Sequence, residues 1–253
     1  MTTASRSTRS GEALFARYAY PPNDLGHCGP PGADVLLAGG AARTDDPEVR
    51  SRAEQFDGAW PYLQLLAAAA DIDDPLDERV VTAYWVGSDL LDVVDPRVFA
   101  QAVGLGFGGQ PGVRQRLAEA PDVAGAGANH AFHVFVVYPW VGLLGSGSDV
   151  PRSVLDSCRV RWGSVEAVDG ETAVVRSRPL TWDGTTLGLG PDRAQTVQWA
   201  QGRHAFVDGL RPGDQVSLHW DWVCDRLSDD ERAALADRTA RQLASTNAWL
   251  TSR

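Results

Sequence analysis

The spacing of apolar residues changes once along the 253-residue chain, near residue 150. Before that point apolar side chains recur at intervals of three and four, as at Val80, Val81, Tyr84 and Trp85, which is typical of helices that bury one face. After it, apolar and polar residues alternate, which indicates strands. We therefore predict an α+β chain, in which a helical domain precedes a small curled β-barrel with a C-terminal helix.

Local signals support this division. Asp-Pro pairs that begin at Asp46, Asp74 and Asp95 predict three helix starts, because an acidic cap and a proline in the first turn both suit a helix N-terminus. In the second half, the Asp169-Gly170 pair predicts a hairpin turn. Ser228, followed by acidic residues, predicts the start of the terminal helix.

Four segments follow from these patterns. We expect a disordered N-terminus over residues 1–10, a helical domain over 11–145, a linker over 146–155 and the barrel with its terminal helix over 156–253. The linker is placed where glycine and serine give flexibility and where Pro151 interrupts a helix that comes before it.

Composition excludes several classes of function. The formal net charge is −10 and the chain has no lysine, so it is a poor candidate for nucleic acid or for an anionic membrane surface. The longest apolar run, residues 133–145, is too short to span a bilayer, and the N-terminus does not resemble a secretory signal. These features predict a cytoplasmic protein that binds neither nucleic acid nor membrane.

Three cysteines lie far apart, at positions 28, 158 and 224. An odd number at long separations favours reduced thiols over a disulfide framework. A buried, inert thiol is the commonest role of a free cysteine, and it is our expectation for Cys224.

A specific set of residues recurs in order after residue 156. A cysteine is followed by a glycine and a valine, a hairpin turn with the sequence TAVV after it, a Pro-Gly-Asp turn, a valine, a leucine and a histidine, and then the acidic start of a helix; these are Cys158, Gly163, Val165, 172–175, 212–214, Val216, Leu218, His219 and 228–231. This order resembles the HypC/HupF family of [NiFe]-hydrogenase maturation chaperones. The resemblance covers residues 156–250. The whole chain also looks like an uncharacterised actinobacterial family associated with hydrogenase gene clusters.

The resemblance implies an OB-like β-barrel with a role in maturation. Such a protein would work with a HypD-like scaffold protein, carry the iron dicyanide carbonyl fragment Fe(CN)₂CO, and contact the large-subunit precursor of the hydrogenase. The family's essential cysteine corresponds to Cys158 and its histidine to His219, which we take as the primary metal ligands. A thiolate suits soft, low-valent iron, and a neutral imidazole can be a second ligand.

The chain departs from the family pattern at two positions of the motif. In the family the cysteine follows the initiator methionine, whereas 157 residues precede Cys158, which can offer only a backbone amide. Trp162 stands where the family usually has proline. We therefore expect a divergent relative.

The helical domain contains a second set of metal-binding candidates. His27 and Cys28 are adjacent in a loop rich in proline and glycine, and His130 and His133 lie three residues apart on one helical face. These four residues are secondary metal candidates and could form a site with one cysteine and three histidines. A metal-dependent enzyme with this site, and the barrel as a docking module, is the alternative function. Helix termination, capping and core packing are the structural alternatives.

Tryptophans are the candidates for partner binding. Trp220 and Trp222 alternate with Asp221, so on a single strand they would share one face with Cys224, opposite His219. With Trp162 they could form core or docking surface. A third possibility is therefore a metal-free interaction module.

Overall fold

The computed structural model describes residues 10–106 and 127–252. Within them the chain is mixed α+β, with a mostly helical N-terminal part, a strand-rich part and a C-terminal helix, as the change of period predicts. Of the N-terminal segment predicted to be disordered, all but Ser10 lies outside the described residues. None of the described helices has both the length and the apolar character needed to cross a membrane.

The helices before residue 106 begin close to the predicted positions. They are α1 (Gly11–Asp24), α2 (Ala33–Ala42), α3 (Pro47–Ala53), α4 (Trp60–Ala69), α5 (Glu78–Trp85) and α6 (Pro96–Gly106), with a 3₁₀ turn over Asp89–Val93. Asp46 caps α3, and the Asp95 carboxylate accepts a hydrogen bond from the Arg97 amide in the first turn of α6. The Asp74 start is displaced: α5 begins at Glu78, because Asp77 supplies the cap.

Residues 130–158 form a run of short helices. A single turn, α7 (His130–Phe132), continues directly into a π-helical turn (His133–Val137), and a 3₁₀ turn (Pro139–Leu143) follows. Helix α8 (Val150–Cys158) comes next, so residues 150–155 of the predicted linker are helical, and the linker itself stays a prediction. Pro151 does not interrupt a helix; it lies in the first turn of α8, where its missing N–H has no cost.

Five strands form a sheet that closes on itself. In the order β1 (Arg161–Asp169), β2 (Thr172–Ser177), β5 (Arg193–Gln198), β9 (Trp222–Arg226) and β8 (Gln215–His219), each strand pairs with the next, and β8 pairs back to β1. Two small hairpins lie outside this sheet, β3 (Leu180–Trp182) with β4 (Leu187–Leu189) and β6 (Ala200–Gln201) with β7 (His204–Ala205).

The first hairpin has the predicted turn, with Asp169 paired to Thr172. Gly163 has a steric role in β1, because a Cβ there would lie 2.6 Å from the backbone oxygen of Arg176 on β2. A glycine at this position of the motif is therefore required for close strand pairing.

The segment from His219 to Cys224 differs from the single alternating strand that we predicted. It is a hairpin turn in which His219 pairs with Trp222, and Trp220 adopts a left-handed backbone conformation with φ of 53°. Trp220 and Trp222 therefore do not share a strand face. The turn has neither glycine nor asparagine, so its sequence does not mark it as a turn.

The two halves of the chain share apolar packing. The final helix α9 (Asp229–Thr251) starts at Ser228 with a complete capping box, as predicted. Its Arg238 forms an ion pair with Asp92 of the helical part. The largest cluster of buried apolar side chains contains residues of α1 and α5 together with Trp222 and Cys224 of β9. The division into two domains stays a prediction, and the candidate site lies where the two halves meet.

Candidate metal centre

Three buried side chains from separate elements converge at the junction of the two halves. They are His130 at the start of α7, Cys158 at the end of α8 and His219 at the end of β8, and one potential ligand atom of each lies within 4.8 Å of the others. Cys158, which the sequence analysis placed at the start of the predicted barrel over 156–253, instead ends helix α8. The structure brings together the two primary candidates and one secondary candidate.

Backbone hydrogen bonds hold the three elements in place. The Nε2–H of His130 donates to the carbonyl oxygen of Cys158 at 2.8 Å, which ties α7 to the end of α8. The Trp220 amide donates to the carbonyl of Ser157 at 2.8 Å, which ties the hairpin turn to the same helix end. Both bonds end on main-chain carbonyls in the last turn of α8. They therefore fix the position of Cys158 relative to α7 and to the hairpin turn at Trp220.

His219 presents an unused ring nitrogen. Its Nδ1 lies 2.7 Å from the carbonyl oxygen of Tyr18 on α1, and since a carbonyl can only accept, Nδ1 carries the proton. The buried Nε2 then has a lone pair, and it finds no hydrogen-bond partner in the part of the chain that the structure describes. A hydrogen bond of this kind, from one ring nitrogen to a carbonyl, orients many metal-binding histidines.

His130 has a similar arrangement. With its proton on Nε2, the lone pair is on Nδ1, which lies 3.4 Å from the Tyr84 hydroxyl. That hydroxyl donates its single proton to the carbonyl of Gly58 at the shorter distance of 2.9 Å. The Nδ1 lone pair of His130 therefore accepts at most a weak hydrogen bond.

The two histidines of the cluster are in the protonation state that a metal ligand needs. Burial lowers the pKa of His130 to about 4. Burial and the nearby His130 lower the pKa of His219 well below its ordinary value, although the carbonyls of Tyr18 and Cys158 act in the opposite direction. Both imidazoles are therefore neutral at pH 7, which is the form that binds metals. Burial raises the pKa of the Cys158 thiol, so a metal that binds there must displace its proton.

The separation of the three ligand atoms can be compared with that in a metal site. Ligand atoms of one tetrahedral ion lie roughly 3.5 Å apart, since metal–sulfur and metal–nitrogen bonds are about 2.0–2.3 Å. The three ligand atoms here lie within 4.8 Å of one another, so a contraction of at most about an ångström would bring them to that spacing. Three protein ligands leave a position open, as in catalytic or exchangeable sites and unlike closed structural ones.

The cluster borders a cavity of about 720 Å³. This volume is in the range of small-molecule sites, about 300–1,000 Å³, and is far larger than a single ion needs. The described residues that line it include all six metal candidates together with Trp220 and apolar or aromatic side chains such as Pro22, Phe56, Trp85, Tyr138 and Trp140.

The other secondary candidates line the cavity without joining the cluster. His27 lies at the exposed rim, where its ring stacks on Trp220 at 4.3 Å. Burial raises the pKa of its neighbour Cys28 to about 12. His133 lies in the π-helical turn, with its Nδ1 3.2 Å from the Tyr62 hydroxyl. The site of one cysteine and three histidines is therefore not assembled as predicted: His130 lies with Cys158 and His219 instead.

The three predicted tryptophans have different environments. Trp220 lines the cavity, whereas Trp222 is buried against Tyr20 and Phe206. Trp162 is partly buried against the main core cluster. Their role in partner binding stays a prediction.

Sequence reasoning missed Trp85, which it assigned only to the apolar face of a helix. Its ring centroid lies 4.5 Å from that of His130 and 5.5 Å from that of His219, so it packs against both imidazoles. No sequence signal separates this tryptophan from its core neighbours.

Comparisons with known proteins show which family the chain belongs to. A family model described as a family of unknown function, DUF6390, matches residues 7–253. No curated protein and no solved structure matches the chain. Since the family model spans nearly the whole chain, the protein belongs to the DUF6390 family.

Proposed function

We propose that this protein is an accessory chaperone in [NiFe]-hydrogenase maturation that holds the iron dicyanide carbonyl fragment on Cys158, His219 and His130. The convergence of these three buried side chains at an open cavity carries the proposal. Two of the three are the residues that the resemblance to the HypC/HupF family singles out, and His130 adds a second imidazole.

The donor set suits this cargo. A thiolate is a soft ligand that favours low-valent iron, and imidazole is a common ligand of iron. A cavity of about 720 Å³ has room for an iron ion with its diatomic ligands, which a closed three-residue pocket would lack. The closed five-stranded sheet is compatible with the OB-like barrel of the family, in which a rigid sheet presents ligands at one end.

The internal position of Cys158, one of the two departures from the family, acts on the proposed metal site. Cys158 lies inside the chain, so its backbone nitrogen belongs to a helix and cannot act as a terminal amine. His130, which lies outside the motif shared with the family, is the third member of the cluster beside the Cys158 thiol. We propose that the helical part supplies this ligand in compensation.

The partners follow from the same proposal. A HypD-like scaffold protein would deliver the fragment, and the large-subunit precursor would receive it, both in the cytoplasm. Trp220 and His27, stacked at the rim of the cavity, lie where a partner would approach.

A metal-dependent enzyme is the second candidate, and a specific observation favours it. Three protein ligands with an open position towards a cavity of small-molecule size are also the arrangement of catalytic metal sites. Because His130 and Cys158 belong to one cluster, substitutions of these two residues cannot separate the enzyme from the chaperone. The nature of the bound metal can.

The test is anaerobic affinity purification of the tagged protein from its native host. Metal content and the infrared spectrum in the cyanide and carbonyl stretching region are measured for the wild type, Cys158→Ser and the matched control Cys224→Ser. We expect iron and the diatomic bands in the wild type and the control, and their loss in Cys158→Ser, together with recovery of the scaffold protein or the hydrogenase precursor.

Other results would reject the proposal in different directions. Stoichiometric zinc or iron without diatomic bands would favour the enzyme. A protein that contains no metal and recovers a partner would favour the interaction module.

A further inference from the structure

Trp220 has a backbone conformation that a bulky side chain rarely adopts. It is the first residue of the two-residue turn between β8 and β9, and its φ of 53° is in the left-handed region. Glycine is the usual residue where only the first position of such a turn has a positive φ. Hydrogen bonds to the Ser157 carbonyl and from the Arg161 guanidinium hold the turn in this form. Strain of this kind is concentrated at functional sites, and here it places an indole in the cavity wall.

One face of the Trp220 indole carries the imidazole of His27. The two ring centroids are 4.3 Å apart and the ring planes differ by 23°, so the rings are stacked. His27 is exposed, and within the described residues its imidazole has no hydrogen bond or ion pair. Its backbone amide donates to the Pro22 carbonyl at 2.8 Å, so the loop is fixed while the side chain can rotate. This face of Trp220 therefore accepts a planar ring, and rotation of one side chain would free it for another.

The wall of the cavity is rich in aromatic side chains and nearly without charge. The chain has no lysine, and Asp57, which is exposed, is the only aspartate, glutamate or arginine among the described residues that line the cavity. Aromatic rings come from Phe56, Tyr84, Trp85, Tyr138, Trp140 and Trp220. Moving an ion from water into such surroundings is costly, whereas an uncharged aromatic ring gains from burial and from ring contacts. The wall therefore favours an uncharged aromatic occupant.

The volume of the cavity leaves room for such an occupant. At about 720 Å³ it lies within the range of about 300–1,000 Å³ that is typical of sites for drug-sized molecules. An iron ion with diatomic ligands is smaller than a drug-sized molecule. The cavity can therefore hold an organic molecule as well as the proposed metal cargo.

We propose that the cavity binds an uncharged, planar aromatic molecule, which stacks on Trp220 in place of the His27 ring. His27 is then an internal competitor for the same face of the indole. The two residues have opposite effects on affinity, since one contacts the ligand and the other must be displaced by it. This binding goes beyond the function proposed above, because it requires neither the metal nor a partner protein.

The test uses β-naphthol as the probe, because it is planar, aromatic and uncharged at pH 7. Its dissociation constant is measured by isothermal titration calorimetry on the metal-free, full-length protein, for the wild type, Trp220→Leu, Trp220→Phe and His27→Ala. Trp220→Leu should weaken binding about tenfold, which is the loss expected for one stacked aromatic pair. Trp220→Phe keeps a planar ring and should lose less affinity. His27→Ala should strengthen binding about threefold or more, because the ligand no longer displaces a ring.

Matched controls test both the ligand and the position in the chain. β-Decalol has the same carbon skeleton without aromatic rings, and β-naphthoate adds a negative charge to the planar ring system, so each should bind about tenfold more weakly than β-naphthol. Trp199→Leu and His204→Ala replace residues that are not among those lining the cavity, and both should keep the wild-type affinity. Circular dichroism verifies folding, and the variant of the exposed His27 keeps the test decisive if Trp220→Leu does not fold.

The outcomes distinguish this inference from the proposed function. Absence of β-naphthol binding, equal affinity in Trp220→Leu and the wild type, or an affinity that does not rise in His27→Ala overturns the inference. Iron with diatomic bands in a protein that does not bind β-naphthol leaves the proposed function intact. Binding of β-naphthol with the two opposite effects, in a protein that is purified from its host without metal, supports the aromatic site and rejects the iron carrier.

Discussion

Cys158 and Cys224 are two buried thiols in two different regions of the molecule. Both are less than a tenth exposed, and burial raises the pKa of each. Cys224 lies on β9 within the core cluster, and its sulfur contacts the carbonyl of Trp222 at 3.7 Å. Cys158 lies at a cavity beside two imidazoles. Burial and pKa therefore do not mark a functional cysteine; the convergence of further ligands does.

The largest expected effect comes from replacing each of the two thiols in turn and comparing the cobalt affinity of the variants. Cys158→Ser should weaken cobalt binding by more than roughly 100-fold, because it removes a ligand, and even the loss of a group that only orients a ligand costs about 10- to 100-fold. Cys224→Ser should keep the cobalt affinity and lower the free energy of unfolding by about 1–3 kcal/mol, because it buries a hydroxyl in the core. Cobalt titration followed by absorbance, with urea unfolding of the metal-free proteins, measures both. Equal effects of the two substitutions on cobalt affinity would remove the distinction.

The second prediction concerns the effect of low pH on stability, which should arise more from the cavity region than from the small outer hairpins. Burial lowers the pKa of His133 to about 3 from the ordinary 6.5, so the folded form stays neutral where the unfolded form takes up a proton. Its contribution to stability is present above about pH 6.5 and is lost as the pH falls from there towards 3. Each pKa unit corresponds to about 1.4 kcal/mol, so a few kcal/mol are involved.

The measurement is the free energy of unfolding of the metal-free protein between pH 7 and pH 4. His133→Gln should flatten its decline, because glutamine does not titrate and can still accept from Tyr62. His204→Gln, on the small strand β7 away from the cavity, is the control and should decline like the wild type. An unchanged slope in His133→Gln would show that other groups cause the acid sensitivity.

The smallest expected effect is a difference in unfolding free energy between a glycine substitution in the cavity wall and one in an outer hairpin. A Cβ on Gly58 would lie 2.9 Å from Nε2 of His133, so Gly58→Ala should displace the ring and cost about 1–3 kcal/mol. A Cβ on Gly188 of β4 would lie 3.4 Å from Thr181 Oγ1, so Gly188→Ala should stay within about 0.5 kcal/mol of the wild type. Urea unfolding compares the two, and equal costs would contradict the close contact at Gly58.

Predictions from sequence succeeded where the signal is local. Asp46 caps a helix, Asp169 and Gly170 form a hairpin turn and Ser228 starts the final helix, because each depends on residues within one turn. The predicted effect of Pro151 and the single strand through Trp222 were wrong for a different reason. Pro151 fits a first helical turn as well as a loop, and the left-handed Trp220 is held by hydrogen bonds to Ser157 and from Arg161, which are distant in sequence.

The sequence by itself determined the α+β class, most element starts and the pairing of Cys158 with His219 as candidate ligands. Only the tertiary structure decided that His130 joins them, that His27, Cys28 and His133 line the same cavity without joining, and that Trp85 packs on both imidazoles. The physical reason is the distance along the sequence between the residues that interact. Capping and turn formation depend on neighbouring residues, whereas a metal centre depends on where three separate elements end after the core has packed.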